Sequence, residues 1–371
     1  MVRHATVMVL LLVTVCMIVC VQSFLSVSAI SKANKLVLRG KLETLRSFAT
    51  SEISEDSATS QWELFKKYHA KGSWKGIWTT YDAMGDVVGE AVASVNLDLS
   101  PDGQSIQQTH TMVVGAKVSD CETCFDSFDT KTVPVASYTP GQLHRSRFSS
   151  AAMINGPTVL RSGMMATELV LSHGDGRVRV VFQHVPAWEN GVEPGSCPPQ
   201  VLKIYRCMVS REALRDSPPT RESEAANPPP PGNPTFFRPI PPFAWNYNLW
   251  GGQSWTWGQS QGTQEWDVPE MEEHDAWHGR HMGDSDNVWV LKIGGLLIHG
   301  PKLISGGGFG GLYRVAWLPE EDTLLRTEAS IVALEPMTMD DENVVGFHPP
   351  SLVSFRSDAM KKTSDLPQTA L

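Results

Sequence analysis

From Trp74 onward the chain alternates apolar and polar residues, and this period of two constrains the fold more than any other feature. The stretch WKGIWTTYDAMGDVVGEAVASVNLDLSPDGQSIQQTHTMVV breaks into short strands at Gly and Asp-Gly turns, roughly ten residues apart. Further strands are expected over 143–149, 163–172, 177–184 and 201–210, with a hairpin turn at His173-Gly174-Asp175-Gly176. The pattern returns in VWVLKIGGLLIHG, GGLYRVAWLP and DTLLRTEASIVALEPM, the last two joined across 319–322. One helix is expected. It starts at the capping residue Ser60, carries Trp62, Phe65 and His69 at helical spacing, and ends at Gly72. Many strands, one leading helix and no βαβ alternation predict a mainly β protein, an antiparallel barrel or sandwich.

Composition divides the chain. Ten of its 25 prolines lie in 217–242, a run that excludes helix and interior strand and reads as an extended connector. It separates a domain over 60–215 from a second over 244–350, with 216–243 as linker. Seven of twelve tryptophans fall between Trp245 and Trp289, in a Gly-, Gln- and Asn-rich stretch that is expected to start as loop. Residues 351–371 read as a polar tail. No fixed internal repeat is visible, so the second region is either its own β domain or the completion of one barrel.

The N-terminus reads as two addresses in series. Residues 1–23 hold a polar start and an apolar run, Val7 to Val21, too short for a comfortable membrane span, as in a signal peptide. Residues 24–51 are Ser-rich and carry five basic side chains against Glu43, the chemistry of a transit peptide. With Phe24 at the junction, the pair resembles the bipartite presequences of algae with secondary plastids. The alternative is secretion with a propeptide. Beyond residue 51 there are 25 basic residues against 39 acidic, a net charge near −14. That excess of acid argues against nucleic acid and anionic membrane surfaces. Four cysteines remain there, too few to staple so long a chain, so the core must be hydrophobic.

Gly72-Ser73-Trp74, just after the helix and at the start of the first strand, resembles the Gly-x-Trp motif of lipocalins and calycins, and Gly76-Ile77-Trp78 repeats it. With the W-x-x-Y-x-x-x-G that follows, ELVLSHGDGRVRVVF and LLRTEASIVAL, the chain resembles a calycin-like family of unknown function from cyanobacteria and photosynthetic eukaryotes. The similarity covers 60–215 and 285–335. It implies a calycin-like antiparallel β-barrel, in two barrel-like halves or one, that binds a small apolar molecule in its mouth. It also implies a basic side chain across the motif Trp, and Arg206 is placed opposite Trp74. Photosynthetic relatives of that fold include bilin lyases and xanthophyll de-epoxidases.

Expected barrel-lining residues are Trp74, Trp78, Tyr81, Met112, Met165, Phe182, Trp289, Tyr313 and Trp317, with Arg145, Arg147 and Arg179 available to pair a ligand carboxylate. Alternation in HRSRF puts Arg145 and Arg147 on one face, turned toward acids or lying on an exposed edge strand. Other clusters carry weaker signals. His274, His278 and His281 have helical spacing that could hold Zn²⁺, yet Gly279 breaks the helix and a solvated acidic loop is the plainer reading. Cys121-Glu122-Thr123-Cys124 has dithiol spacing, but its acidic neighbours suppress thiolate chemistry. The glycine run at 305–311 lacks the Lys of a phosphate loop, and no Ser-His-Asp signature is visible.

These features predict a soluble plastid protein that binds a hydrophobic small molecule: tetrapyrrole, carotenoid or fatty-acid derivative. A pigment-modifying enzyme on the same scaffold (lyase, isomerase or de-epoxidase) is the alternative, marked by a nucleophilic thiol or an acid pair inside the barrel. A third is an assembly or structural subunit docking to a photosystem or other thylakoid protein through the Trp-rich region.

Overall fold

A computed structural model describes residues 61–70, 72–117, 125–160, 162–189, 191–194, 199–215, 248–259, 266–277, 287–305, 309–332, 336–338, 345–347 and 350–365. The presequence, the linker, the Cys121/Cys124 pair and the histidines 278 and 281 lie outside these residues. Helix forms over 61–69, as the spacing of Trp62, Phe65 and His69 predicts. Every long element after it is a strand among the described residues.

Nine strands build the first sheet: β1 Ser73–Asp82, β2 Val87–Leu99, β3 Ile106–Lys117, β4 Phe125–Tyr138, β5 Ser146–Phe148, β6 Ala152–Val159, β7 Met165–His173, β8 Gly176–Ala187 and β9 Val201–Arg215. Their order is β4-β3-β2-β1-β9-β8-β7-β6-β5, all antiparallel. Each strand lies beside its successor except at one place, and one further pairing joins the ends. β1 pairs with β9, which brings the two ends of the chain segment together, and β4 is not paired with β5. The sheet therefore curls into a half-barrel with a seam between β4 and β5.

The second sheet repeats this scheme with β10 Asn248–Gly258, β11 Glu270–Trp277, β12 Val288–Ile293, β13 Leu296–Pro301, β15 Phe309–Glu320, β16 Thr323–Val332 and β19 Ser351–Asp365. Its order is β11-β10-β19-β16-β15-β13-β12, so again the first strand pairs the last. The short β14, Leu303–Ser305, leaves this half and joins β9 of the first sheet. β17 Pro336–Thr338 and β18 Val345–Phe347 form a separate two-stranded ladder. The expected hairpins form at 173–176 and 320–323, and a further one at 293–296 splits VWVLKIGGLLIHG into two strands.

Three expectations need correction. Residues 351–365 are not a polar tail but a strand between β10 and β16, because Leu352, Phe355 and Met360 find buried places among its polar residues. The Trp-rich stretch is strand and not loop over 248–258, where Trp250 and Trp257 have their rings buried. His274 lies on strand β11 and not on a helix, while His278 and His281 fall outside the described residues.

The two sheets are not separate bodies. One core cluster takes Leu169, Leu171, Val178, Val180 and Phe182 from the first and Trp257, Trp289, Tyr313, Trp317 and Phe355 from the second. Phe182 meets Tyr313 at 4.9 Å between ring centroids and Trp289 edge-on at 6.4 Å. Strand β8 is thus buried on both faces, one toward the second sheet and one into its own half-barrel.

Candidate ligand site in the first half-barrel

On β8 the odd residues Arg177, Arg179 and Val181 alternate with Val178, Val180 and Phe182. The even set fills the core between the sheets, which turns both arginines into the first half-barrel. Register sets what they meet. Arg177 lies opposite Glu212 and Arg179 opposite Ser210 on β9, while Trp78 on β1 lies across from Ser210 on its other side. Both guanidiniums then cover an indole: Arg177 stands 4.2 Å from the Trp74 ring and Arg179 5.0 Å from that of Trp78. Both copies of Gly-x-Trp are therefore used. The basic residue across Trp74 is Arg177, not Arg206. The Arg206 guanidinium bonds Gln183 at the other end of β9.

Glu212 is the hub. Buried with no exposed side-chain surface, it accepts from Arg177 Nε, from Ser210 Oγ at 2.7 Å and from Trp78 Nε1 at 3.1 Å. Burial alone would raise its pKa, but Arg177, Arg179 and Ser210 outweigh it and hold the carboxyl down at about 2. Arg177, lowered to about 10 chiefly by burial, stays charged at neutral pH. Arg179 donates through Nε to Glu168 at 2.7 Å and lies 3.6 Å from Glu212. Around them Tyr138 donates to Gln108 at 2.8 Å, and Gln108 bonds His110 at 2.7 Å. Burial and then the Arg179 charge push His110 down to about 3, so its ring is neutral.

A cavity of about 20 Å³ lies in this half-barrel. Its walls are Phe65, Val95, Leu97, Met153 and Val170, with His69, Gln108, Tyr138, Arg177 and Arg179 as polar lining. Arg177 Nη2 and Arg179 Nη1, both fully buried, have no hydrogen-bond acceptor in the protein. The helical segment 61–69 closes the space as a cap. Phe65 stacks on Phe148 at 4.7 Å and meets Tyr138 edge-on at 5.1 Å. Gln61 pairs with both backbone groups of Phe148, Trp62 donates to Gly103 O at 3.1 Å, and His69 Nε2 lies 2.8 Å from Ser149 O.

The expected lining residues separate into groups. Trp74, Trp78 and Arg179 do lie in the half-barrel. Tyr81, Met165, Phe182, Trp289, Tyr313 and Trp317 belong to the core between the sheets instead, because β1, β7, β8, β12 and β15 turn those residues toward the facing sheet. Met112 lies on β3. Arg145 and Arg147 do not share a face. A 3₁₀ turn over Pro140–Arg145 leaves Arg145 exposed, while Arg147 is buried on β5 with its guanidinium 3.8 Å from the Trp266 ring. Nor does Arg179 wait for a ligand carboxylate, since Glu168 already pairs it. The sequence reading missed Arg177, Glu168, Glu212, Gln108, His110 and Tyr138. Alternation in R-V-R-V and S-R-E was the available signal for the first and third of these. Cys207 is buried in the shared core, and burial raises its thiol pKa, so it offers no nucleophile to the half-barrel.

Residues 58–186 match the N-terminal model of DUF3598, a domain of unknown function. A crystal structure of a DUF3598 protein of unknown function from Nostoc punctiforme aligns over 82% of this chain and 99% of its own, at 13% identity and a TM-score of 0.50. That alignment extends the likeness of fold well past the DUF3598 match. An S-type phycobiliprotein lyase from Guillardia theta aligns over 43% of this chain and 93% of its own, at 10% identity and a TM-score of 0.22. No curated protein matches the sequence.

Proposed function

We propose that the whole chain is a DUF3598-family plastid protein and that its first half-barrel binds a hydrophobic small molecule, of tetrapyrrole, carotenoid or fatty-acid type. One observation carries this reading: an aromatic-capped cavity, half its lining apolar, whose polar half includes two buried arginines each with an Nη group that has no hydrogen-bond acceptor. Buried donors without acceptors are costly, on the order of 1–3 kcal/mol each, so an occupant that supplies acceptors binds with that much in its favour.

Volume decides the form that binds. About 20 Å³ holds one water-sized group, whereas sites for drug-sized ligands measure roughly 300–1,000 Å³. The cap must therefore leave. Trp62, Phe65 and His69 occupy the mouth with rings of the kind a ligand would bring, so ligand and cap compete for one place. Apparent affinity is reduced by the stability of the closed form.

Binding is favoured over the pigment-modifying enzyme because the acid pair inside the barrel, Glu168 and Glu212, is committed to Arg179 and Arg177. The Glu212 carboxyl, held down at about 2, has no proton to give. A thylakoid-protein partner becomes the better account only if no small molecule binds. The test is native mass spectrometry with an absorption spectrum on the chain after incubation with a plastid pigment and lipid extract. A bound mass, increased by Phe65→Ala, supports the reading, and a bare chain in both forms overturns it.

A further inference from the structure

We infer that the occupant meets Arg177 and Arg179 with an uncharged acceptor, a carbonyl or lactam oxygen, and not with a carboxylate. The inference rests on the proposed reading of the first half-barrel as a binding site. Charge carries it. The two guanidiniums beside the cavity are paired with two carboxylates, Glu212 to Arg177 and Glu168 to Arg179. His110 is neutral, and burial keeps the Tyr138 phenol protonated. The two guanidiniums are thus matched by two carboxylates before any ligand arrives, and the remaining imidazole ring in the lining, His69, is turned with Nε2 onto the Ser149 carbonyl. A carboxylate would add one negative charge that neither arginine is left to match, in a place with almost no water to solvate it.

The hydrogen-bond inventory points the same way. One Nη nitrogen on each guanidinium has no hydrogen-bond acceptor, Arg177 Nη2 and Arg179 Nη1, the second standing 3.6 Å from Glu212. A carbonyl oxygen has two lone pairs and no proton, so one oxygen can accept from both. The cavity has room for a single atom of that size without disturbing the ion pairs. Of the ligand classes proposed, tetrapyrroles that present a lactam carbonyl and carotenoids with a keto or ester oxygen satisfy this, while a free fatty acid does not.

The test compares two probes that share a skeleton, all-trans-retinoic acid and its methyl ester, titrated at pH 8 against the full chain by quenching of tryptophan fluorescence. The ester is expected to bind at least tenfold more tightly than the acid. Glu168→Gln keeps the hydrogen bond to Arg179 and removes one negative charge, so in that variant the acid should gain on the ester by tenfold or more. Equal binding of the two probes by the unmodified protein, or tighter binding of the acid, overturns the inference and leaves the binding function standing. Failure of both probes to bind the unmodified chain and Phe65→Ala alike counts against the binding function itself and removes the inference with it.

Discussion

At the scale of single residues, the first half-barrel is organised by a buried carboxylate with three donors. Glu212→Gln keeps the shape but leaves Arg177 uncompensated, and removing one partner of a buried pair costs about 3–5 kcal/mol. Urea unfolding should show a loss of that order. The double variant Arg177→Met with Glu212→Leu should recover most of it, because no charge is then left unpaired. Two buried histidines set the response to acid. His110 is lowered to about 3 and His184 to about 4, in each case mainly by burial. The unfolded chain takes up these protons below about pH 6.5, while the folded chain resists them. Their contribution is complete above pH 6.5 and is lost as pH falls toward the folded values, at about 1.4 kcal/mol per pH unit per histidine. Stability measured in urea at pH 7, 6 and 5 should fall accordingly. His110→Gln should remove about one proton's share of the slope.

At the scale of elements, the cap and the first strand matter most. The cap is tied by side chains to backbone groups at Gly103, Phe148 and Ser149, and each such bond contributes only about 1 kcal/mol net. Most of its hold comes from burying Trp62 and Phe65. Phe65→Ala should therefore cost about 3 kcal/mol or more locally, and hydrogen exchange at the Phe148 amide should accelerate far more than exchange in β8. On β1, Gly76 lies between the two motif tryptophans and opposite Glu212. A Cβ there would stand 1.7 Å from the Arg211 carbonyl oxygen, so Gly76→Ala cannot keep the β1–β9 register. The first sheet closes through that pairing, and the variant should lose its folded circular-dichroism spectrum or fall by several kcal/mol in urea. The glycine of the second Gly-x-Trp copy is thus a close-packing requirement, whereas Gly72 of the first is held by its φ of +44°.

At the scale of the molecule, two half-barrels closed in the same way press one face of each sheet into a common core. Gly300 marks how tightly they meet: a Cβ there would come within 2.5 Å of the Phe182 ring. Unfolding should follow a single transition by near- and far-ultraviolet probes alike. Removing residues 351–371 takes β19 from between β10 and β16, and should abolish the second sheet and expose the shared core to hydrophobic dyes. The sequence by itself determined the β class, the leading helix, the hairpin turns and the motif tryptophans, because periodicity, capping and turn chemistry are local and act within a few residues. It concealed β10 and β19, whose scattered apolar residues become a buried stripe only when neighbouring strands supply the other walls. It also could not separate the tryptophans of the half-barrel from the aromatics of the shared core, since alternation says that two faces differ and not what each face meets. Only the tertiary structure decided that Arg177 covers Trp74 and that the arginines are already paired. Those contacts join residues up to 134 positions apart, as between Trp78 and Glu212, and strand register alone brings them together.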